Sequence, residues 1–315
     1  MIAGFPTRLL DSSVFVAVCA VRPYAVGLRR CLGALIDQGV SPVVFVSDSD
    51  TERQVAEETA GDLGTEVVGV PAPELAGLHN AALEHCAADV LALVDDDVVV
   101  EPGWNAELCA AWACAPAEVA AVGGPLALRV LGGAPRWWRN GPAQAFASHD
   151  YGERCSLDPT VETMHGGNLS FRSDALRGAE GFWPARARGD TRDWCSAVHH
   201  AQHALGLLGW RSVYEPKVGA HRLLSADRLQ FGDVLMRRFR SAGRAAMLDG
   251  QSARRGALPR AVRSAAELAR APARRGDERR LVESSMALAD SLGSLLAPLV
   301  AKHDFEPTGP TAVRP

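Results

Sequence analysis

The sequence lacks several features that define common classes of protein. Its seven cysteines never form a CxxC pair and several lie in apolar runs, so neither a disulfide framework nor a zinc cluster is expected. No apolar run approaches the roughly 20 residues of a membrane-spanning helix, and the N-terminus has no signal-peptide pattern. A net charge of -4 over 315 residues offers no overall positive excess for nucleic acid. We therefore expect a cytoplasmic, globular protein without a nucleic-acid partner.

The first half of the sequence alternates between short apolar runs and helical spacing. The apolar runs are continuous, which is typical of strands covered on both faces, and their alternation with helices predicts an α/β fold with a mostly parallel sheet. From about residue 225 the spacing is helical up to a loose tail. We expect one α/β domain over residues 1–224 and a helical appendage over residues 225–315. The predicted strands are residues 14–21, 43–46, 66–70 and 90–94.

Acidic residues follow two of these strands. Asp48 follows one, and Asp95, Asp96 and Asp97 follow another. Ligands of such sheets bind beyond the carboxyl ends of the strands, and alternation places Asp95 and Asp97 on one side. Paired carboxylates suit Mg²⁺ or Mn²⁺, with room left for diphosphate oxygens. A solvated loop or a helix cap could carry the same triplet, so the triplet alone does not decide.

A histidine completes the pattern later in the chain. His221 closes residues 213–221, whose apolar character predicts a strand. A neutral imidazole at that end can complete a metal site, particularly for Mn²⁺. By itself, such a histidine is more often a surface or hydrogen-bonded residue.

The order of these motifs, from Val14 to His221, resembles that of family 2 glycosyltransferases with the GT-A fold, a Rossmann-like domain. The resemblance implies an enzyme that moves a sugar from a nucleotide-sugar donor to a small-molecule or lipid-linked acceptor, mostly with inversion at the anomeric carbon. It also implies a bound Mg²⁺ or Mn²⁺ ion. The residues implied are Asp48, His79, Asn80 and Asp96 for the donor, and Asp95, Asp97 and His221 for the metal.

The acceptor side of the resemblance is a glycine-rich segment. His165, Gly166, Gly167 and Asn168 are similar to the family's acceptor segment, and Trp194 follows in a loop on the same side. An aromatic face of this kind suits stacking on a sugar or a flat acceptor. Tight turns and core packing would explain the same residues, so both interpretations remain open.

One departure from the family concerns the base that deprotonates the acceptor. The family's Glu-Asp motif falls on Ala197-Val198, and neither side chain can accept a proton. Asp193, His199 and His200 are the nearby candidates for a catalytic base. The degraded motif also leaves a second interpretation, in which the chain binds nucleotide sugars without turnover and acts as a partner or regulator.

The C-terminal region is rich in arginine, with nine arginines between Gln251 and Arg280. Such a run could bind an anionic membrane surface or a lipid-phosphate acceptor. We favour the alternative that it is the solvated face of helices, relieved by three acidic residues. The helix predicted over residues 281–300 could pack on the domain or form a homodimer.

Overall fold

The computed structural model describes residues 13–72, 74–135, 137–138, 148–183, 196–226, 229–248, 257–270 and 278–303. The described residues divide into two compact units. The first unit holds those up to residue 129, those from 148 to 183 and those from 196 to 224. The second unit holds residues 130–135, 137–138 and those from 225 onward.

The strands form where β-branched residues are concentrated, because such side chains pack well on a pleated backbone. The four runs predicted in the first half are all strands, with ends that differ by at most one residue. The strands are β1 (Val14–Ala20), β2 (Val43–Ser47), β3 (Glu66–Val70), β4 (Val90–Asp95), β5 (Val98–Val100), β6 (Val119–Gly123), β7 (Leu126–Leu131), β8 (Cys155–Leu157), β9 (Asn168–Arg172), β10 (Arg211–Tyr214) and β11 (Ala220–Ser225).

Helices alternate with the first strands and dominate the second unit. Local signals mark their ends: the Ser49 side chain accepts a hydrogen bond from Glu52 N, 3.4 Å away, at the start of the second helix. The helices are α1 (Ala25–Ile36), α2 (Asp50–Gly61), α3 (Leu75–His85), α4 (Trp104–Ala113), α5 (Ser173–Gly178), α6 (Ser196–Leu207), α7 (Phe231–Leu248), α8 (Ala257–Arg270) and α9 (Glu278–His303).

The first unit is built on an eight-stranded sheet with the order β3-β2-β1-β4-β9-β6-β10-β8. β1 pairs in parallel with both β2 and β4. The chain adds β2 and β3 on one side of β1 and then adds β4 on the other side, so the order of strands reverses at the boundary between β1 and β4. β9 is antiparallel to β4 and to β6. A second sheet has the order β5-β11-β7. The predicted α/β fold with a mostly parallel sheet is confirmed, and the change of direction marks where such sheets bind ligands.

The core lies on both faces of the large sheet. Along β1, Ala17 and Cys19 belong to one buried cluster, and Val16 and Val18 belong to the other. Successive strand residues point to opposite faces, so helices cover the sheet on both sides. This two-sided burial explains why the strands appear in the sequence as continuous apolar runs.

The predicted late strand over residues 213–221 is divided in two. β10 ends at Tyr214, and a turn in which Val218 N donates to Glu215 O at 3.1 Å leads to β11. Pro216 has no backbone N–H for a sheet ladder, which favours the turn. His221 is therefore the second residue of β11 and does not end a strand.

The second unit is helical in the part that the structure describes. α9 packs against both α7 and α8, and an ion pair joins Arg238 Nε of α7 to Asp290 Oδ1 of α9 at 3.0 Å. Within the described residues, no helix has both the length and the apolar character needed to cross a bilayer.

Candidate active site

The acidic triplet lies where the order of strands changes direction. Asp95 is the last residue of β4 and pairs in register with Cys19 of β1. β11 runs beside the triplet, since Leu223 N donates to Asp97 O at 2.7 Å. The first turn of α1 is equally close: a Cβ atom at Gly27 would lie 3.3 Å from Asp96 O. The triplet is therefore enclosed by β1, α1 and β11.

One guanidinium group lies between two of the three carboxylates. Arg222 Nη2 donates to Asp95 Oδ2, and Arg222 Nε lies 3.1 Å from Asp97 Oδ1. The Asp95 and Asp97 side chains are only 6% and 14% exposed. The structure thus brings Asp95 and Asp97 together around a single positive charge.

The electrostatics of this cluster follow from its burial. Burial raises the pKa of Asp95 to about 6, with Arg222 lowering it and Asp97 raising it. Two buried carboxylates this close repel each other, so without a cation one of them would take up a proton. The cluster needs a positive charge between its carboxylates, and Arg222 supplies one.

Asp96 is buried beside the two paired aspartates, and its expected donor role stays a prediction. Asp96 is 3% exposed. The pKa of the Cys31 thiol is raised most by the burial of the thiol, and the next largest cause is the charge of Asp96. Alternation at the strand end explains this, because Asp96 faces the interior when its two neighbours face the cleft.

The glycine pair predicted on the acceptor side packs against the ion pair. Gly166 O accepts from Arg222 Nη2 at 3.4 Å. Gly167 has φ +102, and a Cβ atom there would lie 2.5 Å from Arg222 Nη2 and 2.8 Å from Asp95 Oδ2. Any larger residue would collide with the ion pair and strain the backbone. Gly167 leaves the space that Arg222 occupies, whereas a Cβ atom at Gly166 would lie 3.3 Å from Val198 Cγ2. The acceptor role expected for the two glycines stays a prediction.

Asn168 joins several elements of the fold, and its expected role in binding the acceptor stays a prediction. Its Nδ2 donates to Val218 O at 2.7 Å and to Pro125 O at 3.1 Å. Its Oδ1 accepts from Trp104 Nε1 at 2.8 Å. The amide thereby joins β9, α4 and the turn before β11, and it is 1% exposed.

His221 contacts a carboxylate other than Asp95 and Asp97, and its place in the expected metal set stays a prediction. Its Nδ1 lies 2.8 Å from Glu101 Oε1. His221 and Arg222 are neighbours on β11, so their side chains point to opposite faces, and Arg222 takes the face of the aspartates. Sequence reasoning did not identify Arg222 as the residue of β11 that contacts the aspartates.

His79 is buried and Asn80 is half-buried beside it, and the donor role expected for both stays a prediction. The His79 ring packs on Phe182 with centroids 4.9 Å apart, and burial lowers the pKa of His79 to about 3. Asn80 Nδ2 donates to Phe182 O at 2.7 Å, and Asn80 Oδ1 accepts from Phe182 N at 2.8 Å. The pair thus anchors the turn at Gly181, which has φ +74.

Asp48 lies at the carboxyl end of β2, on the opposite side of β1 from the triplet. Its carboxylate is 44% exposed and accepts from Arg53 Nη1 at 2.9 Å. Gly69 of β3 leaves room for this pair, since a Cβ atom there would lie 2.9 Å from Asp48 Oδ1. Of the residues expected to bind the donor, Asp48 is the one with an exposed polar group at this edge of the sheet.

Three histidine rings lie in contact beside the glycine pair. The His165 ring is 5.1 Å from His199 and 5.5 Å from His149, measured between centroids. Burial lowers the pKa of His165, with a further contribution from Arg222. Burial, then the neighbouring His165, lowers the pKa of His199 to about 3. A group with so low a pKa holds a transferred proton poorly at neutral pH, so His199 is a poor general base.

The remaining base and acceptor candidates divide between the described and undescribed parts of the chain. His200 is half-buried on α6. Asp193 and Trp194 lie outside the described residues. Ala197 and Val198, at the position of the family's base motif, are 3% and 2% exposed. The motif position is therefore apolar packing.

The residues fit a divalent ion that shares its ligands with a substrate. Among the described residues, no three His, Cys, Asp or Glu side chains are arranged as metal ligands. Mg²⁺ is commonly held by one or two carboxylates together with substrate phosphates. Asp95 and Asp97 both contact the Arg222 guanidinium, so a divalent ion at this place would share the two carboxylates with that guanidinium and be completed by diphosphate oxygens.

Comparisons with known proteins agree with this architecture. The family model described as "Glycosyltransferase like family 2" matches residues 12–243. The search of the curated proteins gave no match.

Two solved structures resemble the chain, and both show that its fold is GT-A. The first is the mannosyltransferase PcManGT from Pyrobaculum calidifontis in complex with GDP-Man and Mn2+ (19% identity, TM-score 0.58, covering 97% of this chain and 90% of that one). The second is GalNAc-T7 with UDP, GalNAc and Mn2+ (12% identity, TM-score 0.52, covering 75% of this chain and 51% of that one).

Proposed function

Since the chain belongs to glycosyltransferase-like family 2, we propose that it is a metal-dependent enzyme that moves a sugar from a nucleotide-sugar donor to an acceptor. The observation that carries the proposal is the pair of carboxylates, Asp95 and Asp97, that meet at the Arg222 guanidinium where α/β sheets bind ligands. The Mn2+ in the complexes of PcManGT and GalNAc-T7 supports the use of a divalent metal.

The two acidic strand ends bind different parts of the donor in this proposal. β1 separates β2 from β4, so two strand spacings, roughly 10 Å, lie between the end carrying Asp48 and the end carrying Asp95. In the proposed complex the nucleotide base lies beside Asp48, and the diphosphate lies beside Asp95 and Asp97. The metal would neutralise the charge that develops on the leaving nucleoside diphosphate.

Arg222 adds a positive charge of the chain's own at the same place. In this structure its guanidinium lies between the two carboxylates and offsets one of their two negative charges, and its side chain is 9% exposed. We assign to it the role of keeping the carboxylates ionised before the donor binds. Because five N–H donors radiate from one guanidinium, Arg222 can contact diphosphate oxygens and an aspartate together.

The reaction also needs a general base that deprotonates the acceptor. We propose Asp193 or His200 as the base, since His199 has a pKa near 3. A base on the far side of the sugar from the diphosphate gives inversion by direct displacement. The acceptor is a small molecule or a lipid-linked group.

A second candidate function is favoured by the buried Ala197 and Val198. An apolar base motif is what a nucleotide-sugar-binding relative without turnover would have. Such a protein would use the same donor site and act as a partner or regulator.

A thermal-shift screen tests the proposal. UDP-, GDP-, dTDP- and ADP-sugars are added with and without MnCl₂, because a ligand that binds the native state raises the unfolding midpoint. Asp97→Asn is compared with Asp62→Asn, an exposed carboxylate that pairs with Arg29. We expect a metal-dependent shift in the wild type and in Asp62→Asn, and none in Asp97→Asn. A shift that Asp97→Asn retains would contradict the metal assignment.

Turnover separates the two candidate functions. The donor found by the screen is incubated with the enzyme and Mn²⁺, and release of the nucleoside diphosphate is measured by chromatography. Release that is lost in either Asp193→Asn or His200→Gln supports the enzyme and identifies the base. Tight donor binding without release of the nucleoside diphosphate, with every acceptor tested, supports the non-catalytic function.

A further inference from the structure

The second unit contains an open cleft of about 380 Å³, and all of the residues that line it belong to that unit. Two stretches of chain line the cleft, one after β7 and one at the start of α7. In the first stretch Trp138 N donates to Pro135 O at 2.8 Å, and in the second Leu229 N donates to Ala226 O at 3.1 Å. Backbone hydrogen bonds therefore hold both sides of the cleft in place. Its volume lies at the lower end of the roughly 300–1,000 Å³ of small-molecule sites, which are usually largely formed before the ligand binds.

Aromatic and apolar side chains form the inner part of this cleft. Trp137 and Phe231 are half-buried, with ring centroids 5.2 Å apart and ring planes at 69° to each other. Leu229 is 3% exposed. In an edge-to-face pair, the ring that presents its edge keeps both of its own faces clear of the other ring. Part of an aromatic surface is therefore open to a ligand that enters the cleft.

The rim of the cleft is polar and uncharged. Gln230 is exposed, and its amide can both donate and accept hydrogen bonds. Gly133 and Ala134 are also exposed, and their small side chains leave the backbone amide and carbonyl groups within reach of a ligand. Among the described residues that line the cleft, none carries a charge.

We propose that the cleft binds a neutral sugar ring, with one face of the pyranose on the Trp137 and Phe231 pair and its hydroxyl groups on the Gln230 amide. A pyranose has an apolar face of C–H groups and an edge of hydroxyl groups, so it matches both the inner part and the rim. The residues of the cleft are separate from those of the donor site, so the inference does not depend on the proposed function. It makes neutral saccharides the first class of compound to test as acceptors in the turnover assay.

The chemistry of the lining favours this ligand over two others. A charged ligand would lose its hydration without gaining an ion pair from the described lining residues. An alkyl chain would cover the Gln230 amide and the backbone groups at Gly133 without offering them a hydrogen bond, and burying such groups without a partner is unfavourable. A neutral hydroxylated ring avoids both costs.

The test is saturation-transfer NMR on the full chain, in EDTA and without a nucleotide-sugar donor. The methyl glycosides of glucose, galactose, mannose and N-acetylglucosamine are compared with methyl glucuronide and with 1-hexanol. We expect at least one neutral glycoside to bind, with the strongest signals from the C–H groups of one ring face, and the glucuronide to bind more weakly than the glucoside. Binding of 1-hexanol alone, equal binding of the glucuronide, or no binding of any glycoside would overturn the proposal. Because donor and metal are absent, none of these results bears on the donor site.

Matched variants locate the site. Gln230→Ala should weaken the affinity for the glycoside about fivefold by removing hydrogen bonds. Trp137→Ala should weaken it about tenfold, and Trp137→Phe, which keeps an aromatic face, should restore most of the loss. The control Trp183→Ala removes a ring of the first unit that is 55% exposed, and it should bind like the wild type.

The variants also decide against the cleft if it is wrong. A loss in Trp183→Ala as large as that in Trp137→Ala, or wild-type affinity in both Gln230→Ala and Trp137→Ala, would contradict the assignment. Circular dichroism shows whether each variant is folded. The Gln230 side chain is exposed, so Gln230→Ala should stay folded and keep the test decisive even where Trp137→Ala unfolds.

Discussion

The two acidic strand ends of the large sheet carry the same kind of group in opposite surroundings. At the end of β2, Asp48 is exposed and pairs with Arg53, five residues away and also exposed. At the end of β4, Asp95 is buried and pairs with Arg222, 127 residues away. The first pair forms within one local segment, whereas the second exists only because β11 folds back beside the triplet.

This difference indicates which pair the fold depends on. When an exposed ion pair breaks, water solvates both partners, so the pair contributes little to the free energy of unfolding. A buried carboxylate that loses its cation has no water to replace it, so its charge becomes costly. The β4 end should therefore be sensitive to any change in charge or packing, and the β2 end should be tolerant.

The largest expected effect is that of Arg222→Gln. Removing the guanidinium leaves Asp95 and Asp97 buried without their cation, which should lower the free energy of unfolding by about 3–5 kcal/mol. Urea unfolding monitored by circular dichroism measures the loss. Added Mn²⁺ should then raise the unfolding midpoint of Arg222→Gln more than that of the wild type, because the same carboxylates become available. A variant as stable as the wild type would contradict the buried-pair account.

The second-largest effect concerns His79, which is buried without an ion pair, and the pH dependence of stability that follows. His79 has a pKa near 3 in the folded state and about 6.5 when unfolded. The unfolded chain therefore binds an extra proton between these values, so stability is full above pH 6.5 and falls as the pH drops towards 3. At pH 4 the loss from this group is about 3 kcal/mol. His79→Leu should remove that part of the pH dependence, measured by urea unfolding from pH 7 to 4. An unchanged pH dependence would contradict the burial of His79.

The third effect concerns the packing around the buried pair. Gly167→Ala places a methyl group against Arg222 and Asp95 at a φ of +102, and should cost about 1–3 kcal/mol of stability. The control is Gly33→Ala in α1, where a Cβ atom meets nothing within 4 Å. That change should stabilise the helix by roughly 0.5–1 kcal/mol. Thermal unfolding of both variants gives the comparison, and a Gly167→Ala protein as stable as Gly33→Ala would refute the close packing.

The smallest effect is that of Arg53→Gln at the β2 end. Both partners are largely exposed, with side-chain exposures of 47% and 44%, so the midpoint of thermal unfolding should stay close to that of the wild type. A loss as large as that of Arg222→Gln would remove the distinction between the two strand ends.

The sheet and helices of the first half could be predicted because their signals are local. Continuous apolar runs identified β1 to β4, and the acidic residues that follow β2 and β4 indicated the edge of the sheet where we propose the site. The strands β5, β7 and β11 were harder, because each is short or follows a turn, and their pairing depends on contacts between distant segments. The bend at Pro216 shows this, since a single predicted strand became two.

The side chains around the triplet could be predicted only in part. Alternation correctly put Asp95 and Asp97 on one side, because the two aspartates are two residues apart. It could not choose between His221 and Arg222, since that choice depends on which face of β11 meets β4. The core positions of His79 and Asn80 depend on the turn at Phe182, about a hundred residues away. Long-range packing of this kind leaves no periodic trace in the sequence.

The central claim is that the Asp95 and Asp97 carboxylates hold a cation that in turn binds the diphosphate of the donor. Calorimetric titration of UDP and GDP into the wild-type protein, with Mn²⁺ and then with EDTA, tests it most directly. The account predicts that one nucleotide binds at least about a hundredfold more tightly with Mn²⁺, and that Asp97→Asn abolishes this difference. Equal affinity in Mn²⁺ and EDTA would contradict it.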